Sequence, residues 1–237
     1  MAGEITGLIA GAAMSAAQQK QALANAKKGK TKEQKDVIDF FASEYGGAGC
    51  GCLHKSSRSM SMDEYQKRVG ERCNQLNLKS KAMMKIGLDE SEISEIAPIC
   101  LNSYQFDDDA YVKVENNVAV SSKYCVSWIF FSATQMYTYS FTFDMTSDNT
   151  WEETNDFFYQ DITCFTTKNK VVERIITESG KGCFGKGEST YKSNYVVDTL
   201  KITVPGRSHT ISMRDASVQA QSIQAAKAML RERKFVK

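Results

Sequence analysis

The sequence predicts an α+β chain, a helical first half followed by an antiparallel β domain that ends in one helix. Two observations carry this. Apolar residues recur every three or four positions up to about residue 98, then every second position from about Tyr111. From Tyr137 the odd positions read Tyr137, Tyr139, Phe141, Phe143 and the even ones Thr138, Ser140, Thr142, Asp144. That alternation is the mark of a strand with one packed face and one solvated face. The preceding segment carries Tyr124, Val126, Trp128 and Phe130 on its even face. Three regions follow: residues 1–30, an Ala/Gly-rich helix and a basic joint; residues 31–109, helical with a Gly/Ser loop; residues 110–237, the β domain with its closing helix.

Residues 3 to about 26 read as the first helix, with Ile5, Leu8, Ile9, Ala12, Ala16 and Leu23 along one stripe. Gly3, Gly7 and Gly11 recur every four residues and so stack on one face, which permits close backbone approach. Each glycine costs about 1 kcal/mol against alanine inside a helix, which points to packing against something or to a frayed terminus. An isolated helix of this length is marginal in water, so docking on the same chain or a second copy is the expectation. Lys27-Lys28-Gly29-Lys30 ends the helix as a basic joint. Thr31 with Gln34 forms a capping box for the second helix, whose apolar face is Val37, Ile38, Phe41 and Tyr45, stopped at Gly46-Gly47. A Gly/Ser loop runs to Ser61, where Ser61 and Glu64 form another box. The helix it opens carries Tyr65, Val69, Cys73, Leu76, Ser80 and Met83 on one face and ends at Gly87. Asp89 and Glu92 start a short further helix that stops at Pro98.

Strands are expected at 111–120, 123–131, 135–145, 157–167, 170–178, 189–197, 199–204 and 208–213. Glycines at 180, 182, 185 and 187 mark one hairpin tip and Pro205-Gly206 another. Asp215 caps a final helix whose face is Ala216, Ala220, Ile223, Ala226 and Leu230 and whose end is basic. A half-apolar helix must bury its stripe, so Trp128, Phe141, Leu200, Ile202 and Ile223 are expected in one cluster.

Thirty basic and 28 acidic side chains give a formal charge of +2, which supplies no electrostatic case for a nucleic-acid binder. Seven cysteines at irregular spacing, and an N-terminus without a basic signal region, point to a reducing, cytoplasmic compartment. Gly180 to Gly187 nearly spells a P-loop, but Gly187 stands where Ser or Thr must hold Mg²⁺ and a strand follows where a helix is needed. Cys50, Cys52 and His54 are the weak metal candidates. They offer three ligands where structural zinc wants four, so no metal is expected. Asp107-Asp108-Asp109 lacks the spacing of a calcium loop and reads as a solvated linker. His209 falls on the apolar parity of its strand and reads as a packed histidine. With only two histidines and no paired-carboxylate motif, no catalytic residue is assigned and no cofactor is expected.

A run of antiparallel strands closed by a C-terminal helix resembles a bacterial pleckstrin-homology-like (PH-like) domain, joined to an N-terminal helical region. The resemblance rests on Trp128-Ile129-Phe130-Phe131, the strand Tyr137 to Phe143, Phe158-Tyr159-Gln160-Asp161-Ile162 and the helix 216–234. It implies a PH-like β sandwich or barrel that binds lipids, peptides or proteins and is seldom a catalyst. Lipid-binding members use a basic loop between early strands, whereas the turn Ser132-Ala133-Thr134 is short and uncharged. The expectation is a non-enzymatic cytoplasmic binding or scaffold module acting through protein contacts or self-association, with Gly3, Gly7 and Gly11 as an interaction surface. Membrane-surface association through the N-terminal helix and basic C-terminus is the alternative. An enzyme whose pocket the sequence does not reveal is the third.

Overall fold

The computed structural model describes residues 16–42, 60–93, 97–107, 109–115, 118–182, 185–214, 217 and 219–234. Gly3, Gly7 and Gly11, and equally Cys50, Cys52 and His54, lie outside the described residues. Among those described, five α-helices and nine strands confirm the α+β class. The helices are α1 (Ala16–Lys27), α2 (Lys32–Ala42), α3 (Met62–Gln75), α4 (Leu78–Ile86) and α5 (Ala220–Lys234).

Local chemistry accounts for the helix ends. At α2 the Thr31 N–H donates to Gln34 Oε1 at 3.0 Å and the Gln34 N–H donates to Thr31 Oγ1 at 3.2 Å, a reciprocal capping box. At α3 the Ser61 hydroxyl oxygen accepts from the Glu64 N–H at 3.2 Å, while the Glu64 carboxylate turns to Arg68 at 2.9 Å. The single helix expected from Tyr65 to Met83 breaks at Leu76–Asn77, where Asn77 takes the left-handed conformation at φ 44°. Asparagine tolerates that conformation better than most side chains. The break re-aims the chain so that Leu78 and Ala82 are buried. Gly87, at φ 75°, closes α4 by donating its N–H to the Met83 carbonyl. Asp89 starts no α-helix; Glu90–Ile93 is a single 3₁₀ turn.

The strands are β1 (Ile99–Gln105), β2 (Val112–Glu115), β3 (Val118–Ser121), β4 (Lys123–Phe131), β5 (Gln135–Asp144), β6 (Thr150–Phe158), β7 (Cys164–Gly182), β8 (Gly185–Val204) and β9 (Arg207–Met213). Several expectations are corrected. β1 lies inside the stretch read as helical, directly after Pro98. The expected strand 111–120 is two paired strands, β2 and β3. The expected strand 157–167 is interrupted by a 3₁₀ turn at Tyr159–Asp161, so that β6 ends before it and β7 begins after it. The strands expected at 189–197 and 199–204 are one, β8, and with β7 it extends beyond β9 as a two-stranded ribbon. The glycines at 180 to 187 pair across that ribbon, as a hairpin tip requires.

All ladders are antiparallel, in a four-stranded sheet of order β1-β4-β5-β6, the hairpin β2-β3 and a three-stranded sheet β7-β8-β9. The expected sandwich or barrel is not closed by a strand ladder among the described residues. The two larger sheets meet instead where the Arg214 N–H donates to the Asn102 carbonyl at 2.8 Å.

The four-stranded sheet is covered on both faces, which corrects the reading of β5 as half-solvated. On one face Tyr124, Val126, Phe130, Tyr139, Phe141 and Phe143 pack with Val37, Phe40 and Phe41 of α2, Tyr65 and Val69 of α3 and Leu78 and Ala82 of α4. Helical region and sheet thus share one core. On the other face Ile99, Leu101, Ile129, Phe131, Met136 and Phe157 pack with Leu200, Ile202, Ile211 and Met213 and with Ile223, Ala226 and Leu230 of α5. The single cluster expected for Trp128, Phe141, Leu200, Ile202 and Ile223 is therefore split: Trp128 and Phe141 belong to the core shared with the helices, and Leu200, Ile202 and Ile223 to the core on the opposite face of the four-stranded sheet.

Candidate functional site

The second face of the four-stranded sheet changes character along its length. Pairing puts Ile99 opposite Ile129 and Leu101 opposite Ser127, with Ser103 opposite Cys125 and Gln105 opposite Lys123 beyond them. On β5 the same face runs from Met136 through Thr138 and Ser140 to Thr142. The β7–β8–β9 sheet covers the apolar end. β9 crosses above the strands, with His209 near Glu153 of β6 and Arg214, just past its end, bonded to Asn102 of β1. The polar end is left as the floor of a cleft of about 410 Å³.

Small hydroxyl and thiol groups make that floor. Ser127 and Ser140 are directly opposed and their oxygens lie 2.7 Å apart, while Cys125 Sγ lies 3.7 Å from Ser127 Oγ. Burial pushes the Cys125 thiol up from its ordinary range, with Thr142 and Ser127 hydrogen bonds pulling the other way. A raised thiol is a poor nucleophile at neutral pH.

One wall carries His209 and Glu153, with His209 Nδ1 3.5 Å from Glu153 Oε1. Burial pushes the His209 imidazole below its usual value; Glu153 opposes this and Arg207 adds to it. The imidazole is therefore neutral at pH 7. Its Nε2 is buried without a hydrogen-bond partner, so no hydroxyl or thiol proton is within its reach. Glu153 accepts from Asn155 Nδ2 at 2.9 Å and keeps an exposed carboxylate.

Next to Trp151, which lines the cleft, sits Lys123, whose buried ammonium lies 4.9 Å from the Trp151 ring centre. It is held by Asp109 at 2.5 Å and Asp107 at 3.5 Å. These two carboxylates are thus partners of a buried cation rather than a mere solvated linker, and the hydrogen bond from Lys123 holds the Asp109 carboxyl below its usual range. Glu152 beside the cleft is engaged by Lys81 and Lys85 of α4.

Of the residues singled out from sequence, His209 alone among those described lines the cleft; Cys125, Ser127, Ser140, Thr142 and Glu153 went unremarked as a site. The available signal was that the even positions 138, 140 and 142 are all short hydroxyl residues. A fully solvated strand face would ordinarily carry longer charged side chains. Among the described residues no group of three or more His, Cys, Asp or Glu side chains is arranged to hold a metal ion. Comparison of the chain with protein-family models, with curated proteins and with solved structures finds no match.

Proposed function

We propose that the chain is a non-enzymatic cytoplasmic binding module that acts through protein contacts, with the cleft between β9 and the four-stranded sheet as its recognition site. One observation carries the reading. Polar groups converge in an open cleft, yet its thiol is raised and its neutral imidazole has no proton donor within hydrogen-bond reach, while Glu153 offers an exposed carboxylate for recognition. Such a site favours recognition by hydrogen bonds over proton transfer or nucleophilic attack. Two antiparallel sheets of four and three strands followed by α5 support the PH-like resemblance in outline, with β2–β3 as an added hairpin. The membrane alternative draws less support. Arg233 in the basic C-terminal helix is engaged by the Ala133 carbonyl and stacks over Tyr159, so it is partly occupied within the chain.

Isotope-labelled full-length chain, titrated in turn with short peptides, small polar compounds and liposomes, tests the reading. Shifts at Cys125, Ser140, Thr142 and His209 with peptides or small compounds are the expected result. Shifts with liposomes alone, confined to α5, would replace it with the membrane reading.

A further inference from the structure

Four consecutive residues of β9, His209 to Ser212, line the cleft, so the cleft meets this strand along its edge and not on one side-chain face. Strand β9 has a ladder partner on one side only, β8. In an antiparallel strand the N–H and C=O of one residue point to the same side and alternate along the chain. Two bonds fix which residues point outward. The Arg214 N–H reaches away from β8 to Asn102 on β1, which puts 212 and 210 on the same outward side. Independently, the Thr203 carbonyl accepts from the Thr163 N–H next to β7. Even positions of β8 then turn to β9, and their partners are the odd positions 209, 211 and 213. Thr210 and Ser212 therefore direct their backbone N–H and C=O groups into the cleft.

The charge at the mouth is also defined. Lys123 is held by Asp107 and Asp109, and Lys81 and Lys85 by Glu152. Glu153 has only the neutral His209 as a potential ion-pair partner among the described residues. An occupant that satisfies both features has backbone donors and acceptors at strand spacing and a cation beside them.

We infer that the partner is an extended polypeptide segment that adds to the open stretch of the β9 edge at Thr210 and Ser212, short of the Arg214–Asn102 contact with β1, as a fourth strand of the β7–β8–β9 sheet, and presents a Lys or Arg side chain to Glu153. The inference rests on the cleft being a recognition site. The outward groups of Thr210 and Ser212 supply the main-chain bonds, and the four lining residues at about 3.3 Å each set a footprint of three or four residues. Side chains of the segment that point toward the floor meet Ser127, Ser140 and Thr142, which favours small polar residues there. The exposed Trp151 ring flanks the same mouth as an apolar surface for the stem of a basic side chain.

The probe is a positional-scanning library of capped hexapeptides with one position fixed as Lys, Arg, Glu or Ala, read on the labelled full-length chain. The expected result is selective binding of the Lys and Arg pools. N-methylation of alternate peptide backbone nitrogens should weaken it about tenfold, and so should Thr210→Pro, which removes an outward donor from an edge position that tolerates proline. Glu153→Gln should abolish the preference for basic pools without abolishing binding. Methylation is made on the peptide, so it decides the matter even if Thr210→Pro fails to fold. Cleft binding that Ser140→Leu blocks while N-methylation and Thr210→Pro leave it unchanged would overturn the edge pairing and keep the cleft. No cleft shift from any pool, or from a set of small polar compounds, would overturn both.

Discussion

The imidazole of His209 on β9 lies 3.5 Å from the carboxylate of Glu153 on β6, and this contact joins two sheets that share no ladder. Burial dominates the imidazole, so its folded-state pKa is below the 6.5 of a free histidine. As pH falls, the unfolded chain takes up the proton first. The stability contributed by neutral His209 is therefore fully present above about pH 6.5 and is lost as pH falls through the lower folded value. Urea midpoints measured between pH 8 and pH 5 should decline on the acid side. In His209→Gln the part of that decline due to this residue should vanish, leaving a shallower slope; an unchanged slope would remove His209 from the account.

Tyr65 ties the helical layer to the small hairpin. Its side chain is fully buried, its ring stacks on Phe40 at 4.8 Å between centres, and its hydroxyl donates to the Ser121 carbonyl at 2.6 Å. Tyr65→Phe keeps the ring and leaves that buried carbonyl without its donor. The expected loss is about 1–3 kcal/mol by chemical denaturation, with the helical circular-dichroism signal unchanged. A neutral substitution would mean that the carbonyl finds another donor.

How far these features could be read in advance differs by element. The apolar faces of β4 and β5 and the capping boxes at Thr31 and Ser61 are local and periodic, so sequence alone reveals them. β1 escaped because Asn102 and Ser103 interrupt its seven residues, and only pairing with β4 makes them a strand. The break at Asn77 escaped because Cys73, Leu76, Ser80 and Met83 continue the helical stripe across it, and nothing local specifies a left-handed residue. The cleft escaped for a deeper reason. Its residues come from β1, β4, β5, β6 and β9, and Ser140 and Thr142, like their neighbour Thr138, look solvated until a second sheet is laid over them. Topology, not spacing, assembles the site.

The closing helix offers a test of the second core. Ile223 is almost fully buried, with Leu200, Ile202 and Met229 in the same cluster. Ile223→Ala should cost about 2–5 kcal/mol, since the methyl groups lost are apolar and the sheet beneath relaxes only in part. A loss below about 0.5 kcal/mol would mean that α5 is not held against the sheet in solution.

Thiol reactivity separates the described cysteines by environment. Cys164 is exposed at the start of β7, whereas burial pushes both Cys73 and Cys100 up to about 11 and raises Cys125 as well. The thiolate is the reacting species, so at pH 8 a thiol near 11 is only about one part in a thousand reactive. Timed alkylation of the native chain, with modified peptides identified by mass spectrometry, should label Cys164 first, with Cys73, Cys100 and Cys125 far behind. The rates at Cys73 and Cys100 should climb about tenfold per pH unit up to pH 10, as long as the fold persists. A peptide seated over the floor of the cleft should slow Cys125 further and leave the other three unchanged. Labelling of Cys125 as fast as Cys164 would mean that the thiol is not shielded, and the binding reading of the cleft would lose one of the two held groups on which it rests.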